Sequence, residues 1–292
     1  MDDCVKAIFI LEKMTVTIGI YNSWLGGIEL GIRKCLPDSK ILWEIPQSSE
    51  LAYLNPFSVF GDTHPVDLFW LNLPDESHFQ KVVKYIIRSL PKTIVTVGLR
   101  NIINTREYSD YIELLKTLGY CVHADIYDAS YYNVPQNRVR LVVRAVYDEY
   151  DQYEKLPPMK KNKPTGWFSV LKDILLELPE CGLAKNQQRE LNGKIPLGVL
   201  VKRYDISHCL TVRKPREPAF TTIYYKTTKV LNVIDFDGIV RHCDKRAMKR
   251  LQGLPDNHRI PQKKFLYYLS RTTPPNFAYH IVKSISSFIG DN

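Results

Sequence analysis

Between residues 14 and 147, short apolar runs alternate with segments of helical period. That alternation constrains the fold of this chain more than any other feature. "MTVTIGIY" (14–21) reads as a strand and "GGIELGIRKCL" (26–36) as the helix after it. "KILWEI" (40–45) and "VDLFWLNL" (66–73) read as strands, and "HFQKVVKYIIRSL" (78–90) as an amphipathic helix. "KTIVTVGL" (92–99) is a further strand and "YSDYIELLKTLGY" (108–120) a further helix, while "CVHADIYD" and "VRLVVRAVYD" form a last strand pair. Strands separated by helices of this length predict a mostly parallel sheet covered on both faces.

The character changes near residue 147. "DEYDQYEKLPPMKKNKPTG" (148–166) is charged and proline-bearing and reads as a linker. An irregular stretch follows to about residue 260, with strand-like pieces "EPAFTTIYY" and "KVLNVIDFDGIV". "PNFAYHIVKSISSFI" (275–289) reads as one amphipathic helix. A chain of 292 residues has room for one large domain with a smaller one. No run of 18 uncharged apolar residues predicts a membrane helix. The acidic start "MDDC" is unlike a signal peptide. The six cysteines are widely spaced and form no CxxC pair, which points to a reducing, intracellular setting, cytoplasm or nucleus, and to no metal centre. His208–Cys209 and His242–Cys243 are adjacent pairs, and adjacent residues rarely ligate one ion together. The net charge of +9 favours an acidic partner such as nucleic acid.

"ASYYNVPQNRVRLVVRAV" (129–146) resembles the VPQxRxR segment of the cytosine-C5 DNA methyltransferases. Other blocks follow in that family's order. "WLGGIELGI" resembles its glycine-rich cofactor loop, "ILWEI" the strand whose glutamate holds the cofactor ribose, and "GD" at 61–62 the segment reaching the adenine. "DLFWLNLPDE" resembles the PCQ nucleophile loop, "PKTIVTVGLRNI" the ENV strand, "RHCDKRAMKRLQGLPD" the block after the target-recognition region, and "LSRTTPPNFAYHIVKSI" the final GNAVPP block. The resemblance implies an α/β, Rossmann-like S-adenosylmethionine-dependent methyltransferase fold with a small inserted target-recognition domain. It divides the chain into a methyltransferase-like domain (1–146), a recognition-like domain (147–260) and a returning C-terminal segment (261–292).

Several positions depart from the family's pattern. The nucleophilic cysteine falls on Asp75, and a carboxylate is a poor nucleophile toward an electron-poor ring carbon. The ENV glutamate falls on Val97, which cannot exchange a proton. Trp24 takes the first glycine position of the cofactor loop, Asn22 its phenylalanine, and Ser270–Arg271 the final Gly-Asn. Gly26, Gly27, Glu44 and Asp62 match. On these grounds the expectation is a catalytically inactive homologue, not an enzyme, with no cofactor and with S-adenosylmethionine excluded by the Trp24 indole. Its expected role is as a nucleic-acid-binding or regulatory subunit, of an active methyltransferase or a larger assembly, with DNA as partner, RNA as the alternative and no membrane. A protein-contact scaffold and a methyltransferase of altered chemistry are the alternatives. Gln136, Arg138 and Arg140 either stabilise a domain interface or contact phosphate or base. Lys202, Arg203, Arg213, Lys214, Arg216, Lys226 and Lys229 are the nucleic-acid candidates of the recognition region, where basic residues interleave with tyrosine and threonine.

Overall fold

The computed structural model describes residues 15–46, 64–148, 156–164, 166–181 and 240–289, together with the short strands at 200–201, 207–208 and 232–234. Among them is a six-stranded sheet. Its strands are β1 (Thr17–Tyr21), β2 (Lys40–Ile45), β3 (Leu68–Leu73), β4 (Thr93–Leu99), β5 (Tyr120–Asp128) and β7 (Val139–Tyr147), in the order β2-β1-β3-β4-β7-β5. The first four run parallel, and β7 lies antiparallel to both β4 and β5. The sheet is thus mostly parallel, with the final strand pair antiparallel.

The apolar runs are continuous because the sheet is buried on both faces. Ile18, Ile20, Leu68, Trp70, Val95, Val97 and Val142 face one side. They pack against helix α1 (Gly27–Cys35) and the C-terminal helix Pro275–Lys283, through Ile28, Ile32, Phe277, Ala278 and Ile281. Phe69, Leu71, Leu73, Ile94, Leu141, Val143 and Ala145 face the other. There they meet α2 (His78–Ser89) and α3 (Arg106–Thr117) through Phe79, Val82, Ile86, Tyr111 and Leu115. The alternation of the two sets along β3 is the period of two that a strand imposes.

Three expectations are refined by this packing. The linker read over 148–166 is, from 156 on, part of the domain: Leu156 and Met159 are buried, and Pro157 O accepts from the Arg144 guanidinium at 2.6 Å. The single C-terminal helix is two, Pro275–Lys283 and Ser286–Ile289. At the break the Ser284 hydroxyl donates to Ile281 O at 2.6 Å while accepting from Arg144 at 2.9 Å. Such a side chain competes with the backbone ladder of a helix. A second core gathers Trp24, Leu25, Trp167, Leu171, Leu175, Cys243, Leu251, Phe265 and Leu269, so it crosses residue 260. Of the recognition region, the backbone shows β10 (Asn232–Ile234) between β11 (Val240–His242) and β8 (Leu200–Val201), and β6 (Gln136–Asn137) paired with β9 (Ser207–His208).

Candidate functional site

Strand β1 leads to β2 on one side of it and, through the chain that follows, to β3 on the other. Open α/β sheets bind ligands outside the carboxyl ends of their strands at such a switch point. Here two asparagines join the ends of β1 and β3. Asn22 Nδ2 donates to Asn72 O at 3.2 Å, and Asn72 Nδ2 donates back to Asn22 O at 3.0 Å. Asn22 N also donates to Ile45 O at 2.9 Å, tying the loop to the end of β2. Glu44, buried at that end, accepts from the Ser23 hydroxyl.

The loop from β1 to α1 keeps a glycine-like path. Trp24 has φ 66° and Gly26 φ 76°, both left-handed, and Asn22 has φ 60°. The Trp24 indole neither forces the loop open nor stands alone. It is buried in the second core against Tyr267 and Tyr268, with ring centroids 6.0 and 6.5 Å away, and the Arg271 guanidinium lies 5.6 Å from its centroid. Gly27 admits no side chain, since a Cβ there would lie 2.2 Å from Thr273 O. The final block is therefore pressed onto the cofactor loop. A buried carboxylate at the end of β2 and a tightly turned loop into α1 fit an S-adenosyl group: Glu44 can accept from ribose hydroxyls, and the backbone at Gly26 is turned as a close ligand approach requires.

Asp75 follows β3 and is half-buried. Its Oδ1 accepts from Ser77 N at 3.1 Å and Ser77 Oγ at 2.6 Å, an Asx turn that leads into α2. Beside it, the Tyr21 hydroxyl and His78 Nδ1 are hydrogen-bonded at 2.7 Å, both residues buried. Burial, and then the neighbouring Tyr85, pushes the Tyr21 phenol up to about 12, and burial lowers His78 despite the Asp75 charge. Val97 is buried in β4 between Asn72 of β3 and Val142 of β7. The sequence drew attention to Asp75 and Val97 but not to Tyr21 or Asn72. Position 72 carried a signal, an amide inside an otherwise apolar strand.

Gln136 and Arg138 are turned inward. Gln136 is fully buried and donates to Leu251 O at 3.3 Å and Gln252 Oε1 at 2.9 Å, and Gln252 donates in turn to Thr272 O. Arg138 donates to Ser270 O at 2.5 Å and Thr272 O at 3.3 Å. The VPQNRVR, RLQGLPD and SRTTPP blocks are thus knotted through backbone carbonyls. These contacts bind blocks distant in sequence to one another. Arg140 remains part-exposed and donates to Val139 O at 2.8 Å. Lys202, Arg203, Arg213, Lys214, Arg216, Lys226, Lys229 and Asp62 lie outside the described residues.

With this geometry in hand, residues 55–287 match the model of the family described as C-5 cytosine-specific DNA methylase. A curated relative, the type II methyltransferase M1.ScrFI of Lactococcus lactis subsp. cremoris, is 23% identical over 195 residues, 63% of this chain and 48% of that protein. The chain spans about half the length of that relative. The fold is similar to that of the Dnmt2 methyltransferase of S. pombe (TM-score 0.63, 13% identity, 94% of this chain and 99% of that one). It is also similar to the Entamoeba histolytica methyltransferase EhMeth (TM-score 0.61, 11% identity, 94% and 98%).

These findings correct two expectations. The reading of the chain as no enzyme is opposed by the family match, which covers well over half of the chain, and by a curated relative described as a methyltransferase. The expectation of no cofactor fails with it, because this is a family that takes S-adenosylmethionine. Its physical premise fails as well: the Trp24 indole was expected to obstruct the loop, and it is instead absorbed by the second core.

Proposed function

The chain belongs to the C-5 cytosine-specific DNA methylase family, and from that premise we propose that it acts on DNA, takes S-adenosylmethionine in the corner between β1, β2 and α1, and serves cytosine methylation as the DNA-holding, regulatory subunit of a methyltransferase assembly. One juxtaposition carries this reading: a cofactor corner with its buried Glu44 stands beside a nucleophile position where a carboxylate, Asp75, is already engaged by Ser77. Position 75 offers no thiolate for attack on cytosine C6, and one would be supplied elsewhere in that assembly. Cys243 does not supply it, since it is buried in the second core with its thiol pushed up to about 12 by burial.

When bound, the cofactor supplies the methyl group. The residues of this chain hold and orient. Glu44 receives the ribose hydroxyls, the Gln136–Gln252–Arg138 knot fixes the final block against the loop, and Arg140 offers its charge to the DNA backbone. The test is tritiated methyl incorporation into mixed-sequence duplex, by the purified chain and by the chain co-expressed with a cytosine-C5 methyltransferase that carries the thiolate. The expected result is a stable complex whose incorporation falls when Glu44 of this chain is replaced by Ala. Incorporation by this chain alone would favour altered chemistry at Asp75. A failure of the two proteins to associate would overturn the subunit role.

A further inference from the structure

We propose that the face formed by α1 and the helix Pro275–Lys283 is a second DNA-phosphate contact, built from Lys34, Lys283, His280 and Tyr279. Lys34 and Lys283 come from different helices and converge on one ring: their Nζ atoms lie 5.2 and 5.7 Å from the Tyr279 centroid. His280 packs edge-on against the same ring, with centroids 5.1 Å apart. Asn276 accepts from Lys34 Nζ at 3.0 Å and donates to Asn133 O at 2.9 Å, and Asn133 Nδ2 lies 3.2 Å from His280 Nε2. Both lysines are exposed, and among the described residues neither has a carboxylate within ion-pair distance.

The basic helix Lys245–Leu251 differs. There, Arg246 is paired with Glu177 at 2.5 Å, and Arg250 with Asp173 and Asp256, each at 2.7 Å. Those charges are neutralised within the fold, whereas the two lysines over Tyr279 are not. Two ammonium groups that lie 5.2 and 5.7 Å from one ring centroid are little screened from each other at 0.1 M salt, where the screening length is about 10 Å, and they raise the local potential. The His280 imidazole registers this potential: burial lowers its proton affinity, and Lys283 and Lys34 lower it further. A cationic pair with an aromatic ring and neutral amides between is the mixture of groups that holds sugar-phosphate backbone. An acidic peptide would need the charge but not the ring or the amides.

The inference rests on the reading that the chain acts on DNA, and the test separates the two. Duplex binding by the full chain is measured by fluorescence anisotropy across a salt series, for the wild type and for the K34Q/K283Q variant. Both positions are exposed, so melting should not change. The expected result is a salt slope shallower by up to about 1.8, the contribution of two phosphate contacts, with several-fold weaker binding at low salt. A Tyr279→Leu variant, which keeps both charges, should retain most of the slope and lose affinity. A wild type that binds duplex with a slope unchanged in K34Q/K283Q overturns the patch alone. A wild type that does not bind duplex even at low salt overturns the DNA reading and the patch with it. Displacement of duplex by poly-glutamate as readily as by unlabelled duplex, at equal charge, overturns the assignment in favour of an acidic protein partner.

Discussion

Arg138→Met distinguishes a structural knot from a nucleic-acid contact. The Arg138 guanidinium is almost wholly buried and donates to Ser270 O and Thr272 O, the two carbonyls that hold the final block in place. Methionine preserves much of the volume and removes the donors. Thr272 O keeps its bond from Gln252, so Ser270 O is the carbonyl that loses its donor, at a cost of about 1–3 kcal/mol. At roughly 2–4 °C per kcal/mol for a domain of this size, the midpoint should fall by about 2–12 °C. Thermal melting gives the stability, and anisotropy on a mixed-sequence duplex gives the salt slope. The expected outcome is a large melting shift with the slope preserved at temperatures where the variant is folded. A variant that melts with the wild type while its slope drops by about one phosphate contact would refute the reasoning, since Arg138 would then be facing DNA.

Trp24→Gly should destabilise the chain by about 2–4 kcal/mol by denaturant titration. Loss of the buried indole costs about 3–5, and relief of a left-handed φ at a bulky residue returns about 1. His78, His258 and His280 all have proton affinities lowered chiefly by burial. The folded state therefore binds fewer protons than the unfolded one below the usual histidine range. Stability should be complete above about pH 6.5 and fall as the pH drops through the depressed folded values, and His78→Phe should flatten that fall in melting against pH. Cys243, fully buried, should resist a thiol reagent in the native protein and react once urea unfolds it, as mass spectrometry would report.

Much of the fold was legible because periodicity reports burial. β3 reads as a continuous apolar run since Leu68 and Trp70 face one helical layer and Phe69 and Leu71 the other. The segments of β5 and β7 were also legible as a strand pair, which the structure runs antiparallel. The site was less legible, because local sequence does not state where a side chain goes. Trp24 was read as an obstruction, since a glycine position seemed to demand glycine. The second core, assembled from residues around 167–178 and 243–269, provides the indole with a place that the loop alone does not show. Gln136 and Arg138 were read as donors toward nucleic acid or an interface. Their acceptors, Leu251, Ser270 and Thr272, lie more than a hundred residues away. The break at Ser284 was missed because it depends on Arg144 reaching across from β7.

Isothermal titration of S-adenosylmethionine into the full chain, beside a Glu44→Ala variant, tests the central claim most directly. The account predicts saturable binding at one site, at least about tenfold weaker when the buried carboxylate can no longer accept from the ribose hydroxyls. A wild type that takes up no cofactor at millimolar concentration, or one that binds it equally well without Glu44, would contradict the account.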